Sequence, residues 1–291
     1  MVTLRNALDS YLLLLTSLNK SAATKKQYTI DGQQFLLFAQ QQNIEHLDAQ
    51  FNELLYKYIE YLQDTYPNIN TYNHKVALLR SFVDFVILRE WVRPFDYSVV
   101  LQPKKRVKEP LKVLTKKQLM RITNVWPTYF HYAKTQEHQW LAKRNDCIVQ
   151  MLLETGCKPA ELVLMKWTHI DKQTSQIYIA KNHVRRALKI STLLIEMLQY
   201  YKEATEQIHQ EPVGEWLWVS EASQVKPITT KTIERIFQTI SKEVGEAVRA
   251  TDIRYTVLQK ALQSENKIET IQQQMGYVRK WVLTERGERF E

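Results

Sequence analysis

The stretch from Arg144 to Ile170, RNDCIVQMLLETGCKPAELVLMKWTHI, constrains this chain more than any other. Ile148, Met151, Leu152 and Leu153 form an apolar stretch at helical spacing. Gly156 stands where a helix needs a left-handed end residue. Pro159 suits the first turn of a second helix carrying Glu161, Leu162 and Leu164. The order is a buried helix, a break, a short second helix and the entry to a hairpin. Lys158 falls at the start of that second helix, where outward-pointing backbone N–H groups are a natural place to meet a phosphate. Taken locally, the same pattern is also a core corner with an exposed lysine.

Glycine is sparse, six in 291 residues, which favours helices over a turn-rich β architecture. A chain of this length buries a real core and divides into two domains. The formal net charge of +9 points to an acidic polymer as partner, nucleic acid first and an anionic membrane second. Cys147 and Cys157 flank a helix end in apolar sequence and are expected as packed, reduced thiols. No Cys/His cluster has metal-ligand spacing, and no glycine loop suits a nucleotide, so no metal or cofactor is expected. The apolar run Tyr11 to Leu15 is too short to span a bilayer, which makes the cytoplasm the expected location.

Residues 1–92 show four amphipathic helical patterns. Their apolar faces carry Leu4, Leu8, Tyr11, Leu12 and Leu15, then Tyr28, Phe35, Leu36 and Phe38. Phe51, Leu54, Leu55, Tyr58, Ile59 and Leu62 form the third, and Tyr72, Val76, Leu79, Phe82, Val83 and Val86 the fourth. Ser21 or Thr24 opens the second helix and Asn70 or Thr71 the fourth. Together they predict a helical bundle. Lys25, Lys26, Lys75 and Arg80 lie near helix starts or polar faces and are candidates for backbone contact with DNA; a solvated face explains them equally well. Residues 93–114 lose the pattern and read as an extended linker. Its run of Lys104, Lys105, Arg106 and Lys108 suits a strap along phosphates.

From Thr115 the pattern resumes. A helix TKKQLMRITNVW precedes a loop rich in aromatics and histidine, then the helix of the opening stretch. Strands are expected over Ile177 to Ile179 and Arg186 to Ile190, with a turn around Lys181 to Val184. A helix from Ser191 or Thr192, a short buried strand from Trp216 to Val219 and a helix capped by Thr229 or Thr230 follow. Thr251 caps TDIRYTVLQKAL, and Ile268 to Met275 is a helix ended by Gly276. The fold class is thus mainly α with a small β-hairpin or sheet (α+β).

The basic linker, RND…LLETGCKPAELVLMKWTHID, a hairpin with a lysine at its turn, TDIRYT and QQQMGY together resemble the tyrosine recombinase, or phage integrase, family over nearly the whole chain. The resemblance implies a helical core-binding (SAM-like) DNA-binding domain at 1–92, a linker at 93–114 and an integrase-like domain at 115–291. It also implies a clamp on double-stranded DNA, and a nucleophilic tyrosine supported by two arginines, a hairpin lysine and two histidines, one of them sometimes tryptophan. Lys158 stands at the first arginine, Lys181 at the hairpin lysine with Arg185 and Arg186 behind it, and Thr251 at the histidine before Arg254. Tyr277 takes the histidine or tryptophan slot, and the family's nucleophile position falls near Arg286.

A lysine replaces a forked, bidentate donor with a point charge, and without a positioned tyrosine there is no covalent intermediate. The expectation is therefore no catalytic residue and no enzyme. The implied role is a sequence-specific DNA-binding protein, a transcriptional repressor of a phage or mobile element like the integrase-fold lysogeny repressors. DNA contacts would come from Lys158, Lys181, Arg185, Arg186, Arg254 and Tyr277 besides the cations above. Gln33, Gln34, Asn73 and Lys231 are candidates for reading bases. Alternatives are an active recombinase, with Tyr277 as displaced nucleophile or a tyrosine supplied in trans, an accessory that pairs with a recombinase, and a helical interaction module. A homodimer or a recombinase-like partner fits the first two.

Overall fold

The computed structural model describes residues 2–105, 108–181, 184–221, 223–264 and 267–290; for 180, 181, 184, 185 and 223–225 it describes the backbone alone. The chain forms two compact units, residues 1–108 and 109–291. It is mainly helical with small antiparallel sheets.

The first unit packs α1 (Leu4–Ser17), α2 (Ala22–Gln41), α3 (Phe51–Thr65) and α4 (Ile69–Leu88). Thr3, Ser21 and Asn68 cap α1, α2 and α4 by accepting backbone N–H bonds through their side-chain oxygens. Asn68, rather than Asn70 or Thr71, opens α4 because its one carboxamide oxygen takes the N–H groups of both. Apolar residues three and four apart on each helix turn the same way, so Tyr11, Phe35, Phe51, Tyr58 and Phe82 meet in one buried cluster. The Phe35 and Tyr58 rings lie 5.0 Å apart, and Tyr11 meets Phe82 edge-on at 5.8 Å. Burying side chains of this size contributes about 1.5–3 kcal/mol each. The segment after α4 joins the same core through Val100 and Leu101. Asn73 then holds the backbone of Lys104 at both N–H and C=O. So the basic stretch is anchored at Lys104 rather than loose along its length.

The second unit begins with α5 (Lys116–Tyr132), α6 (Gln136–Thr155) and α7 (Pro159–Leu162). Strands β1 (Ile170–Asp171), β2 (Gln176–Lys181) and β3 (Val184–Lys189) form an antiparallel sheet in sequence order. The register pairs Ile177 with Leu188 and Ile179 with Arg186. Then come α8 (Thr192–His209), the pair β4 (Val219–Ser220) and β5 (Ser223–Pro227), α9 (Thr230–Val244), α10 (Ala250–Gln263), α11 (Ile268–Met275) and α12 (Trp281–Gly287). Helix α6 runs through the core, burying Trp140, Cys147, Ile148, Met151 and Leu152. Both cysteines are free and buried.

Other boundaries differ from the sequence reading as well, the strand expected over Trp216 to Val219 being confined to Val219–Ser220. The loop expected after Trp126 is helix: α5 continues through Pro127 to Tyr132. Pro127 faces solvent, and tertiary contacts hold the far half, where Tyr129 packs on Trp126 at 5.2 Å and donates to Glu243 of α9. Thr251 lies inside the first turn of α10; its N-cap is Arg249, whose N–H donates to the Asp252 carboxylate.

Candidate functional site

Two helix ends build the site. Helix α6 stops at Gly156, φ +57°, and α11 stops at Gly276, φ +62°. Both conformations favour glycine, and each turns a carbonyl toward α10. Arg254 of α10 is buried between them, its Nη1 donating to the Gly156 carbonyl and its Nη2 to the Met275 carbonyl at 2.7 Å. Lys158, two residues beyond Gly156, donates from Nζ to the Gly276 carbonyl at 3.3 Å. The ends of α6 and α11 are thereby tied together by two cations.

Tyr277 is set among these groups. Arg254 stands 4.8 Å from its ring centre, Arg286 5.3 Å and Lys158 Nζ 5.6 Å. Such distances allow cation–π attraction. The Tyr277 hydroxyl is buried and has no hydrogen-bond partner among the described residues.

Glu161 organises the other side. Arg186 clasps it with both ends of its fork, Nη1 to Oε1 at 3.2 Å and Nη2 to Oε2 at 2.8 Å, and donates Nε to the Gln274 carbonyl at 3.0 Å. The Lys158 backbone N–H also donates to Glu161. Burial opposes ionisation of Glu161. The hydrogen bonds from Arg186 and from the Lys158 N–H, with the charges of both residues, outweigh it and hold the carboxyl below the ordinary range. This corrects one expectation: the N–H at the start of α7, offered to a phosphate by the sequence, is spent on Glu161.

The sequence-derived cations divide by environment. Lys158, Arg186, Arg254 and Tyr277 come together. Lys181 and Arg185 belong to β2 and β3, and their side chains lie outside the described residues, as does all of Arg106. Lys26, Arg80, Lys105 and Lys108 are exposed, and Lys25 is half-buried. Lys104 is exposed, with its ammonium 4.4 Å from the Tyr72 ring centre. Lys75 is a correction: it is buried, its Nζ 2.8 Å from Asp31 Oδ1 and bonded also to Gln34. A cation spent in this way inside the bundle is not offered to DNA. Gln34 and Asn73 are likewise engaged, with Lys75 and Tyr66 and with Lys104, so neither is free to read a base. Sequence reasoning missed Glu161 and Arg286 as site residues. The spacing of Glu161 three residues after Lys158 was the available signal, since an acid at that place reaches back to a helix's first N–H.

Residues 112–282 match the phage integrase family. This chain belongs to the phage integrase family. It is 24% identical over 224 residues to the tyrosine recombinase XerC of Pediococcus pentosaceus, covering 76% of this chain and 71% of that one. It is 27% identical over 192 residues to XerC of Bacillus pumilus, covering 64% and 58%. Among solved structures, XerH recombinase bound to its difH substrate superposes with a TM-score of 0.68 at 13% identity, covering 90% of this chain and 76% of that one. A lambda integrase fragment in a dimer bound to a core site gives 0.65 at 16% identity, covering 97% of each chain. At these identities the superpositions show the shared fold.

The sequence reading expected no enzyme, and these relatives overturn it. They are named as recombinases, which are enzymes, and nothing among the described residues shows an inactive site. Lysine at 158, threonine at 251 and arginine at 286 are differences within an enzyme family, not proof that chemistry is lost. No helix among the described residues is long and apolar enough to cross a membrane.

Proposed function

We propose that this protein binds a specific double-stranded DNA site and acts there in site-specific recombination. The observation that carries the reading is the convergence of Lys158, Arg254 and Arg286 on Tyr277 at the paired helix ends Gly156 and Gly276. Cations gathered around a tyrosine ring suit transfer of a DNA phosphoryl group once its hydroxyl faces the phosphate. They neutralise charge that builds on the non-bridging oxygens in the transition state. In that step the Tyr277 oxygen bonds to phosphorus, its proton leaves to solvent, and the bond to one deoxyribose oxygen breaks. That oxygen takes up a proton and leaves as a strand-end hydroxyl. The Tyr277 hydroxyl must turn out of its buried place to reach phosphorus. The relatives act as recombinases, and a lambda integrase neighbour is a dimer on DNA, which supports duplex DNA and a second subunit as partners here.

The test is a nicked duplex whose strand cannot religate, incubated with the full chain and resolved under denaturing conditions. A covalent protein–DNA adduct is expected, lost in Tyr277→Phe while duplex binding persists. An adduct undiminished in Tyr277→Phe, or none at saturating DNA, would overturn the assignment of this tyrosine. Lack of salt-dependent duplex binding would overturn the reading as a whole.

A second reading, regulation of transcription by occupying promoter sites, is favoured by one observation. Arg286 lies ten residues after Gly276, the family's nucleophile position, and stacks on both Tyr277 and Tyr255. Genome-wide footprinting separates the two: sites clustered at promoters favour regulation, and a single attachment-like site favours recombination.

A further inference from the structure

A cavity of about 1030 Å3 opens in the second unit between α5, α6 and α9 and shares no lining residue with the Gly156–Gly276 corner. Its volume is that of a small-molecule site. Arg144 of α6 lines it and is only 5% exposed. The Arg144 Nε and Nη2 donate to Asn145 Oδ1 at 3.1 and 3.0 Å, and Nη1 donates to the Val219 carbonyl at 2.9 Å. A guanidinium carries five N–H groups. These bonds use three, which leaves one on Nη1 and one on Nη2 without an acceptor among the described residues. No carboxylate pairs with it there: Glu221, at the cavity's edge, acts on Arg144 only through its field, as does Tyr201. Burial accordingly pulls the Arg144 pKa below its ordinary value. A buried cation without a counter-ion is costly to the fold.

A second, separate donor lines the same space. Trp126 is 7% exposed, and its indole N–H is buried with no acceptor among the described residues. Leu141 and Ile236 supply apolar wall. Unspent donors, one of them cationic, set among apolar side chains call for a ligand with an acceptor-only head and an apolar body. Glu221 and Glu243 line the cavity together with Lys134, Arg144 and Arg235; three cations less two carboxylates leave a formal charge of +1, which matches a single negative charge better than a doubly charged phosphate.

We propose that this cavity binds a small monocarboxylate with a flat apolar body, its carboxylate on the Arg144 guanidinium and its body against Trp126 and Ile236. Neither Arg144 nor Trp126 belongs to the Lys158–Arg254 corner, so the site stands whether or not the recombination reading does.

The test is titration calorimetry of the full chain with sodium 3-phenylpropanoate and indole-3-acetate, each against its uncharged amide. At least one acid is expected to bind with a Kd below about 1 mM and roughly ten-fold tighter than its amide. Thr239→Phe, which fills the cavity from a half-buried position on α9, should abolish that binding without changing the circular dichroism. Arg144→Gln should erase the preference for acid over amide. If that variant fails to fold, Thr239→Phe decides alone. No heat from either acid, equal binding of acids and amides, or acid binding that survives Thr239→Phe would overturn the proposal.

Discussion

Lys75 and Lys158 carry the same charge, and the fold spends them in different ways. Lys75 closes a buried pair with Asp31 inside the first unit, whereas Lys158 bridges two helix ends beside Tyr277. Removing one partner of a buried pair strands the other. Lys75→Met should therefore cost about 3–5 kcal/mol of the first unit's stability. The double change Lys75→Met with Asp31→Leu should recover most of it, and chemical denaturation of the three variants checks both. Which lysines were internal was not legible in the sequence, because Asp31 is 44 positions away and only the packing of α2 on α4 joins them. By contrast Lys158, Arg254 and Tyr277 were legible from the motifs around them. Asp146 gives a second test at this scale. Burial pushes its carboxyl up to about 6, against a smaller lowering by the Gln150 hydrogen bond. The unfolded chain ionises this group near pH 4 and the folded chain near 6, so between those values the folded state holds more protons. Stability then falls as pH rises through that window and levels off above it. Asp146→Asn should remove this slope and raise the melting temperature at neutral pH, with a gain of at most about 3 kcal/mol.

Helix ends decide more of this structure than helix middles do. Gly156 and Gly276 were readable as ends because a left-handed residue is needed where an apolar pattern stops. What they hold was not readable. A Cβ built on Gly276 would lie 2.5 Å from Arg186 Nη1, and one on Gly156 would lie 2.9 Å from Val257 Cγ1. Gly276→Ala should thus cost about 1–2 kcal/mol for the left-handed backbone alone, and more for displacing Arg186 from Glu161. Its expected signature is a lowered melting temperature together with weakened duplex binding. Gly245→Ala serves as control, since its φ of +73° is equally left-handed but nothing lies within 4 Å of the added methyl; it should lose stability without losing DNA. Local rules stop a helix before proline, yet α5 passes through Pro127 because Tyr129 and Trp126 secure its far half against α9 and each other. The caps at Asn68 and Arg249 were missed by two or three residues, since polar residues on either side of each helix start suit the same role.

For the molecule as a whole, the excess of 40 Lys and Arg over 31 Asp and Glu is what duplex affinity would draw on. Charge counted from composition overstates it, because cations such as Lys75 and Arg186 are taken up by the protein's own carboxylates. Salt dependence separates the two populations. Each phosphate neutralised by a cation releases counter-ions and contributes about −0.9 to the slope of log affinity against log salt. Arg80→Ala and Lys105→Ala remove exposed cations and should each reduce the slope by about 1 if they meet phosphates. Lys75→Met, in the stabilised background with Asp31→Leu, removes a cation that faces inward and should leave the slope unchanged. A slope that drops equally for all three would mean that net charge, not placement, governs binding, and the division between buried and exposed cations would lose its functional meaning. A slope that moves only with the exposed residues would locate the DNA-facing side of the first unit from solution measurements alone.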